Sequence, residues 1–379
     1  MVLPLVPVIP RIGMVEFKQE GYVNEQYKTK LTTLMASNAQ PDVFYTWESG
    51  FLKPFVEGGK VYPIGDKLEA DEEWNSRFPD KSVFGPVTFS DGKIYAIPNS
   101  RQIAIISYNK KMFADAGVEV PKTLDEFMQV CEALKAKGYT PLAIPCKEAW
   151  FGGQFMQQLA NGVGGDDLYD KICSGETTWD DERFIEAGNL LADIVNKGYL
   201  TSDFLGMSSN EAFDALNMGR VAMFYHITSG MNVLENPENP VYEDLGFFRL
   251  PPKNPENAGL NVGSLGQLFA VSSQAKNIDA SCELVKNFSG EKFQKSLAEE
   301  MGDVIVTNTE FDESKLPPLS QEVLPLYDGI TTYTPWFDRI FGAGEGVEFN
   351  NAAVAIMAGE DSAEAMKNLQ QFAIDNATR

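Results

Sequence analysis

From residue 14 onward, short apolar runs alternate with segments whose apolar residues recur at helical spacing. A chain written this way is restricted to an α/β fold, because each strand and each half-apolar helix must bury one face against the other. Residues 14–19 read as a strand, and Asn24 reads as the cap of a helix carrying Tyr27, Leu31, Leu34 and Met35. Gln40, Pro41 and Asp42 punctuate before a short buried strand at 43–46. A crossover of that length predicts a βαβ unit with parallel pairing. Thr123 and Glu126, after Pro121, have capping-box spacing ahead of Phe127, Val130, Cys131 and Leu134. Phe184, Ala187, Leu190, Leu191, Ile194 and Val195 draw a second stripe that Gly198 ends, while Phe213 and Leu216 lead to a stop at Gly219 and a strand at 221–225. Two helices close the chain, one with Phe349, Ala353, Ile356 and Met357, the other with Met366, Leu369 and Phe372. Proline and asparagine mark loops at 236–240 and 251–255.

Composition narrows the chemistry. A length of 379 residues suggests about two domains. With 31 basic against 54 acidic residues the net charge is −23, which repels phosphate backbones and argues against a nucleic-acid partner. A single histidine, His226, excludes a multi-histidine metal site, and its place at the end of a strand favours a hydrogen-bonded or solvent-facing residue over a catalytic one. Cys131, Cys146, Cys173 and Cys282 are widely spaced, with no Cys-x-x-Cys pair, and Cys131 and Cys282 fall on apolar helical positions. Their disulfide state is left open. There is no phosphate-loop signature, no Gly-x-Ser-x-Gly and no run of 18 apolar residues. With 54 acids, a glycosidase-like carboxylate pair would carry no information. No cofactor or metal is expected.

Aromatic residues in loop-like settings stand out instead. Trp47 and Glu48 follow the 43–46 strand, Trp150 and Phe151 precede Gly152 and Gly153, and Trp336, Phe337, Asp338 and Arg339 follow Pro335. Ligands of open α/β sheets bind beyond the carboxyl ends of strands, where Trp47 would lie. An indole beside a carboxylate suits a sugar, whose apolar face stacks on the ring while its hydroxyls donate to the acid. For any single tryptophan, simple packing is the competing explanation, and Trp74 and Trp179 are assigned to it.

The run Asp42-Val43-Phe44-Tyr45-Thr46-Trp47, followed by residues 51–64, resembles the extracellular solute-binding proteins of carbohydrate ABC importers, the maltose-binding-like family 1. Gly92-Lys93-Ile94-Tyr95-Ala96-Ile97-Pro98 is similar to the same family, as are Ser107-Tyr108-Asn109-Lys110-Lys111-Met112-Phe113, the 117–127 segment and Met218-Gly219-Arg220-Val221-Ala222-Met223-Phe224. Each pattern alone is weak; five in the family's order, covering nearly the whole chain from Met14, are specific.

The resemblance implies a two-lobed, periplasmic-binding-protein-like (type II) α/β fold with interleaved lobes and a central ligand cleft. The first lobe would comprise 1–105 and 266–315, the second 106–265 and 316–379. It implies non-catalytic capture of a sugar or oligosaccharide by hinge closure and delivery to the membrane permease of an ABC importer. By position, the ligand would meet Trp47, Glu48, Asn99, Ser100, Arg101, Trp150, Phe151, Tyr225, His226, Ser264, Trp336 and Asp338. Trp47, Trp150, Tyr225 and Trp336 would stack on or edge the rings; Glu48, Arg101 and Asp338 would bond hydroxyls. The protein is expected to be a monomer placed outside the cytoplasm, as a cell-surface lipoprotein or in the periplasm. The sequence itself shows neither signal peptide nor lipobox. Residues 1–13, with Pro4, Pro7 and Pro10, stand where relatives carry a strand and helix, so a first lobe lacking that unit is expected. The sequence has Ile227-Thr228-Ser229-Gly230-Met231 where many relatives carry a tryptophan, so one stacking platform is expected to be absent. The competing functions are a repurposed family member acting as an interaction protein and, less favoured, a carbohydrate-active enzyme.

Overall fold

The computed structural model describes residues 11, 12, 15–22, 24–342 and 344–376. The expectations placed on residues 1–10, on Met14 and on the capping side chain of Asn24 lie outside the described residues. The chain divides into two compact units, the first comprising Met1–Arg101 and Leu265–Pro317 and the second Gln102–Ser264 and Pro318–Arg379.

In the first unit, the apolar run Val43–Thr46 is a strand, but its partner is Leu268–Val271 and the pairing is antiparallel, Val43 facing Val271 and Thr46 facing Leu268. The parallel βαβ pairing expected for this region is therefore replaced. Val15–Glu16 pairs antiparallel with Arg11–Ile12 instead. The helix Asn24–Ala36 buries Leu31 and Met35 against a core that includes Phe44, Leu52, Phe78, Leu268, Val285 and Phe288. Trp74 belongs to that core, its indole N–H donating to the Ser289 hydroxyl at 2.8 Å. Packing, as expected, accounts for it.

The second unit is built on a mixed sheet. Its strands run in the order Thr332–Thr334, Leu260–Gly266, Ser100–Asn109, Val221–Ile227 and Thr140–Ala143. Ser100–Asn109 is antiparallel to Val221–Ile227, whereas the two outer pairs are parallel. Every residue of Val221–Ile227 is buried, as a strand covered on both faces requires. Helix ends follow their sequence signals. Thr123 accepts from the Glu126 N–H, although the Glu126 carboxylate returns to the Lys122 N–H rather than to Thr123. Ser208 and Glu211 make a complete capping box, and Gly198 and Gly219 take the left-handed conformation after their helices.

The longest helical element, Trp150–Ser174, is interrupted at Gly165 (φ 68°, ψ −165°) and is buried on almost every side of its first four turns. Burial on that scale needs close neighbours, and Gly152 and Gly153 provide room for the helix Glu345–Met357. A Cβ on Gly152 would lie 3.2 Å from the Met357 sulfur, and one on Gly153 would collide with the Asn350 side chain and reach 3.0 Å from its Cα. Trp179 packs among Phe184, Phe337, Phe341 and Phe349, its indole N–H bonded to Glu345. All four cysteines are free thiols, three of them buried. Among the described residues no helix is long and apolar enough to cross a membrane.

Because the Asn350 backbone sets the limit at Gly153, Gly153→Ala is expected to cost about 1–3 kcal/mol in urea denaturation. Gly85→Ala, which meets open space, is the control expected to change little. Equal midpoints for the two variants would refute this packing account.

Candidate functional site

Four polar side chains mark one stripe of the Trp150–Ser174 helix: Gln154, Gln157, Gln158 and Asn161, all buried. Two of them grip neighbouring backbone and a third a neighbouring hydroxyl. The Gln157 amide donates to the Pro335 carbonyl at 2.9 Å and accepts from the Phe337 N–H at 3.0 Å. The Gln158 Oε1 accepts from the Val262 N–H at 2.8 Å, and the Asn161 amide donates to the Thr334 hydroxyl at 2.6 Å. Trp336 is thus held between two residues that share one glutamine. Its ring is fully buried with the Arg339 guanidinium 3.9 Å from its centre.

Trp150 opens the same stripe. It is half-buried and stacks on Phe151 with ring centres 3.7 Å apart, while Phe151 is itself backed by Phe224. The indole nitrogens of Trp150 and Trp336 and the Oε1 of Gln154 are buried without a hydrogen-bond partner. Such groups are uncommon in folded proteins and cost about 1–3 kcal/mol each. Tyr225 is the strut beneath them, its hydroxyl donating to the Gln154 carbonyl at 3.1 Å and its ring set edge-on to Phe155. Asp338 is half-buried and lies 3.5 Å from the Asn350 amide. Ser264 is buried in its strand beside Gly263, whose bare Cα lets it approach the Gln102 carbonyl.

His226 is hydrogen-bonded, one of the two settings its sequence position favoured. It is buried between Phe213 and Phe224, its Nε2 lies 2.6 Å from the Ser107 hydroxyl and its Nδ1 lies 2.9 Å from the Ile227 carbonyl. With Nδ1–H donating to that carbonyl, Nε2 accepts from Ser107 and both ring nitrogens are used. Burial holds its pKa down at about 4, so the ring is neutral. It acts on the strand, and offers a ligand no spare polar atom in this arrangement.

In the first unit, Trp47 sits in a chain of edge-on and tilted aromatic contacts with Tyr27, Tyr45 and Phe51, and the Lys28 ammonium lies 5.1 Å from its ring centre. Glu48 is fully buried beside it. Ser49, next in line, has a left-handed backbone (φ 50°) pinned by its N–H to the Pro86 carbonyl at 2.9 Å. Asn99 is a structural hub: its amide donates to the Gln267 carbonyl at 2.8 Å and accepts from Gln294 at 3.1 Å. Arg101 pairs with Asp80 at 3.6 Å. Ser100 is buried close to Asp303, a residue absent from the sequence-based list. Asp303 retains some exposure, yet its Oδ2 is sealed from solvent, and burial raises its pKa to about 6 while Ser100 and Gln267 partly offset the rise.

The structure thus gathers Trp150, Phe151, Tyr225 and Trp336 along one helix of the second unit. In the first it places Trp47 with Glu48, and Ser100 with Arg101. Gln154, Gln157 and Asp303 were missed. The glutamines have the i, i+3, i+4, i+7 spacing of a helix face, but a polar stripe reads as solvent-facing until a burying partner is known. Among the described residues no group of three or more His, Cys, Asp or Glu side chains could hold a metal ion.

A family model described as bacterial extracellular solute-binding protein matches residues 15–295. The chain is similar to a multiple sugar-binding protein of Streptococcus mutans, 26% identical over 68% of this chain and 60% of that one. It is also similar to a diacetylchitobiose binding protein of Streptomyces coelicolor, 26% identical over 76% and 65%. It therefore spans less than two thirds of the length of these curated relatives. Among solved structures it resembles one from a study of xylan utilization by Caldanaerobius polysaccharolyticus, with a TM-score of 0.88, 26% identity and coverage of 94% and 92%.

Two buried groups give opposite pH responses. Between pH about 4 and 6.5 the unfolded chain binds a proton at His226 that the folded chain refuses, so this contribution is complete above 6.5 and is lost as pH falls to 4. Between about 3.8 and 6 the folded chain keeps a proton at Asp303 that the unfolded chain releases, so that contribution is lost as pH rises to 6. Asp303→Asn is expected to stabilise the protein at pH 7 by about 1–3 kcal/mol, and to steepen its loss of stability on acidification from 6.5 to 4. Urea midpoints at pH 7, 5.5 and 4.5 check this; a variant weaker than the parent at pH 7 would contradict it.

Proposed function

The chain belongs to the bacterial extracellular solute-binding proteins, and from that premise we propose that it is a non-catalytic carbohydrate receptor, capturing a sugar or oligosaccharide by hinge closure for delivery to the permease of an ABC importer. The proposal places it outside the cytoplasm, as a cell-surface lipoprotein or periplasmic protein acting as a monomer. The observation that carries the reading is the aromatic end of the polar stripe. Trp150 is a half-buried ring backed by a second ring, and its indole N–H and that of Trp336 are buried and unmatched. A sugar answers both features, since its C–H face stacks on the indole and its hydroxyl oxygens accept from N–H.

In this proposal Trp150 and Trp336 contact the sugar directly, Phe151 supports the Trp150 ring, and Asp338 accepts from a hydroxyl. Tyr225 and His226 set the geometry of the strand and helix that present them. From the first unit, Trp47 and Glu48 supply an aromatic edge and a carboxylate. Asn99 holds the Gln267 backbone, Ser100 and Ser264 offer hydroxyls to the ligand, and Arg101 contributes its guanidinium edge.

A thermal-shift screen over mono- and oligosaccharides tests the reading. A cognate sugar at about 100 times its dissociation constant contributes roughly 2.7 kcal/mol of stability and raises the melting temperature. Trp336→Ala is expected to weaken binding of that sugar by about 1–3 kcal/mol, with retained far-UV circular dichroism confirming the fold. A protein whose melting temperature no sugar raises is not a sugar receptor, and an unchanged affinity in Trp336→Ala removes that residue from the site.

A further inference from the structure

We infer that the Asp303 side chain is a proton-operated clasp on two of the chain's crossings: protonated it ties Asn99–Arg101 to Leu265–Gln267, and ionised it lets them part. The chain leaves the first unit after Arg101 and re-enters it at Leu265, so both segments lie at crossings. They are the first-unit ends of the neighbouring strands Ser100–Asn109 and Leu260–Gly266. Pairing weakens there. The Asn99 N–H reaches the Gly266 carbonyl only at 3.3 Å, longer than the usual range, and the Asn99 amide adds a bond of 2.8 Å to the Gln267 carbonyl. Gln267 holds a left-handed backbone (φ 50°), a conformation that persists only where the surroundings enforce it.

Asp303 enters this junction from a third segment. Val304 and Ile305 pair antiparallel with Arg101 and Ser100, and the Asp303 N–H is fixed to the Leu297 carbonyl at 3.1 Å. The side chains that act on its carboxyl are Ser100, from one crossing, and Gln267, from the other, both buried. Asp303 Oδ2 and the Ser100 hydroxyl are sealed from solvent, and neither is held by a well-formed hydrogen bond. No charged group compensates the carboxyl. Arg101 pairs with Asp80 at 3.6 Å, and Lys295 of the Glu291–Glu299 helix pairs with Glu291 at 2.7 Å. Glu299 accepts from the Asp312 N–H at 3.1 Å, while Glu291, Lys292 and Glu300 are exposed. A protonated carboxyl both donates and accepts, which suits the Gln267 amide oxygen and the Ser100 hydroxyl together. Ionised, it is a sealed charge beside two neutral groups, and it gains water when the end of the strand pair opens.

The inference bears on the hinge of the proposed receptor, but its test uses no ligand, so either can fail without the other. Amide hydrogen exchange, corrected for its intrinsic pH dependence, is followed by NMR in the parent and in Asp303→Asn at pH 5, 6 and 7.5. In the parent, the opening constant at the Asn99 amide should rise about 10-fold from pH 5 to 7.5 and level off above about 6. That is the profile of a carboxyl titrating at about 6 when closed and about 3.8 when open, the closed form being lost as pH rises. Amides of the helix Leu124–Ala136, in the second unit, should not follow. In Asp303→Asn, Asn99 should keep its low-pH protection throughout. A flat profile at Asn99 in the parent would overturn the inference. So would a rise confined to the Asp303 amide, which would show this turn moving without the crossings, or an equal rise in Leu124–Ala136, which would show general unfolding. If Asp303→Asn does not fold, the parent decides: the carboxyl carbon resonance of Asp303 must titrate at the pH where Asn99 opening levels off, and a different pH overturns the clasp.

Discussion

The grip of Gln157 on the backbone either side of Trp336 is the interaction on which the second unit's organisation turns. A glutamine buried in a helix must find partners for both ends of its amide, and Gln157 finds them in the Pro335 carbonyl and the Phe337 N–H. That choice fixes the loop. Tyr169 adds a second donor to Pro335 at 3.0 Å, and Thr334 passes the connection to Asn261 of the neighbouring strand. Phe337 is thereby directed into the rings of Trp179, Phe184 and Phe349, while Trp336 is kept with its indole N–H unmatched. The same row of amides is bonded at Gln157, Gln158 and Asn161 and carries an unmatched oxygen at Gln154.

Local signals in the sequence carried well into the structure where they depended on neighbours within a few residues. Thr123 caps its helix, Gly198 and Gly219 end theirs, and the apolar runs at 43–46 and 221–225 lie in strands, the second continuing to Ile227. Pairing was not legible. The run at 43–46 is joined to 268–271, more than two hundred residues away, and nothing in either segment states direction or partner. The Trp150–Ser174 helix was hidden for a related reason: burial on nearly all sides erases the alternation by which a helix is recognised. Its glycines at 152 and 153, which look like loop residues, are there because Asn350 and Met357 come so close.

Candidate ligand residues divided in the same way. A loop-like setting was the signal by which the sequence set Trp47, Trp150 and Trp336 apart as candidates from Trp74 and Trp179. The last two have their indole nitrogens bonded to Ser289 and Glu345 inside their cores. Residues whose role depends on what buries them were not recoverable. Sequence allowed His226 to be hydrogen-bonded or solvent-facing, and only the structure shows it neutral and bonded in the core; Gln154 looks like a surface residue and is buried, and Asp303 has one carboxylate oxygen sealed from solvent. In the first unit, left-handed backbone at Ser49 and Gln267 and the raised carboxyl of Asp303 lie close to the predicted Trp47, Glu48 and Ser100. Strain and unfavourable burial of this kind persist where a protein trades stability for a function.

The five tryptophans supply a direct test of the central claim, that the protein binds carbohydrate through Trp47, Trp150 and Trp336. In protein labelled with 5-fluorotryptophan, each ring gives one fluorine resonance, assigned by single Trp→Phe substitutions. Addition of the sugar that most raises the melting temperature should shift the resonances of Trp47, Trp150 and Trp336, and leave those of Trp74 and Trp179 in place. Five resonances unmoved at saturating sugar, or shifts confined to Trp74 and Trp179, would contradict the account.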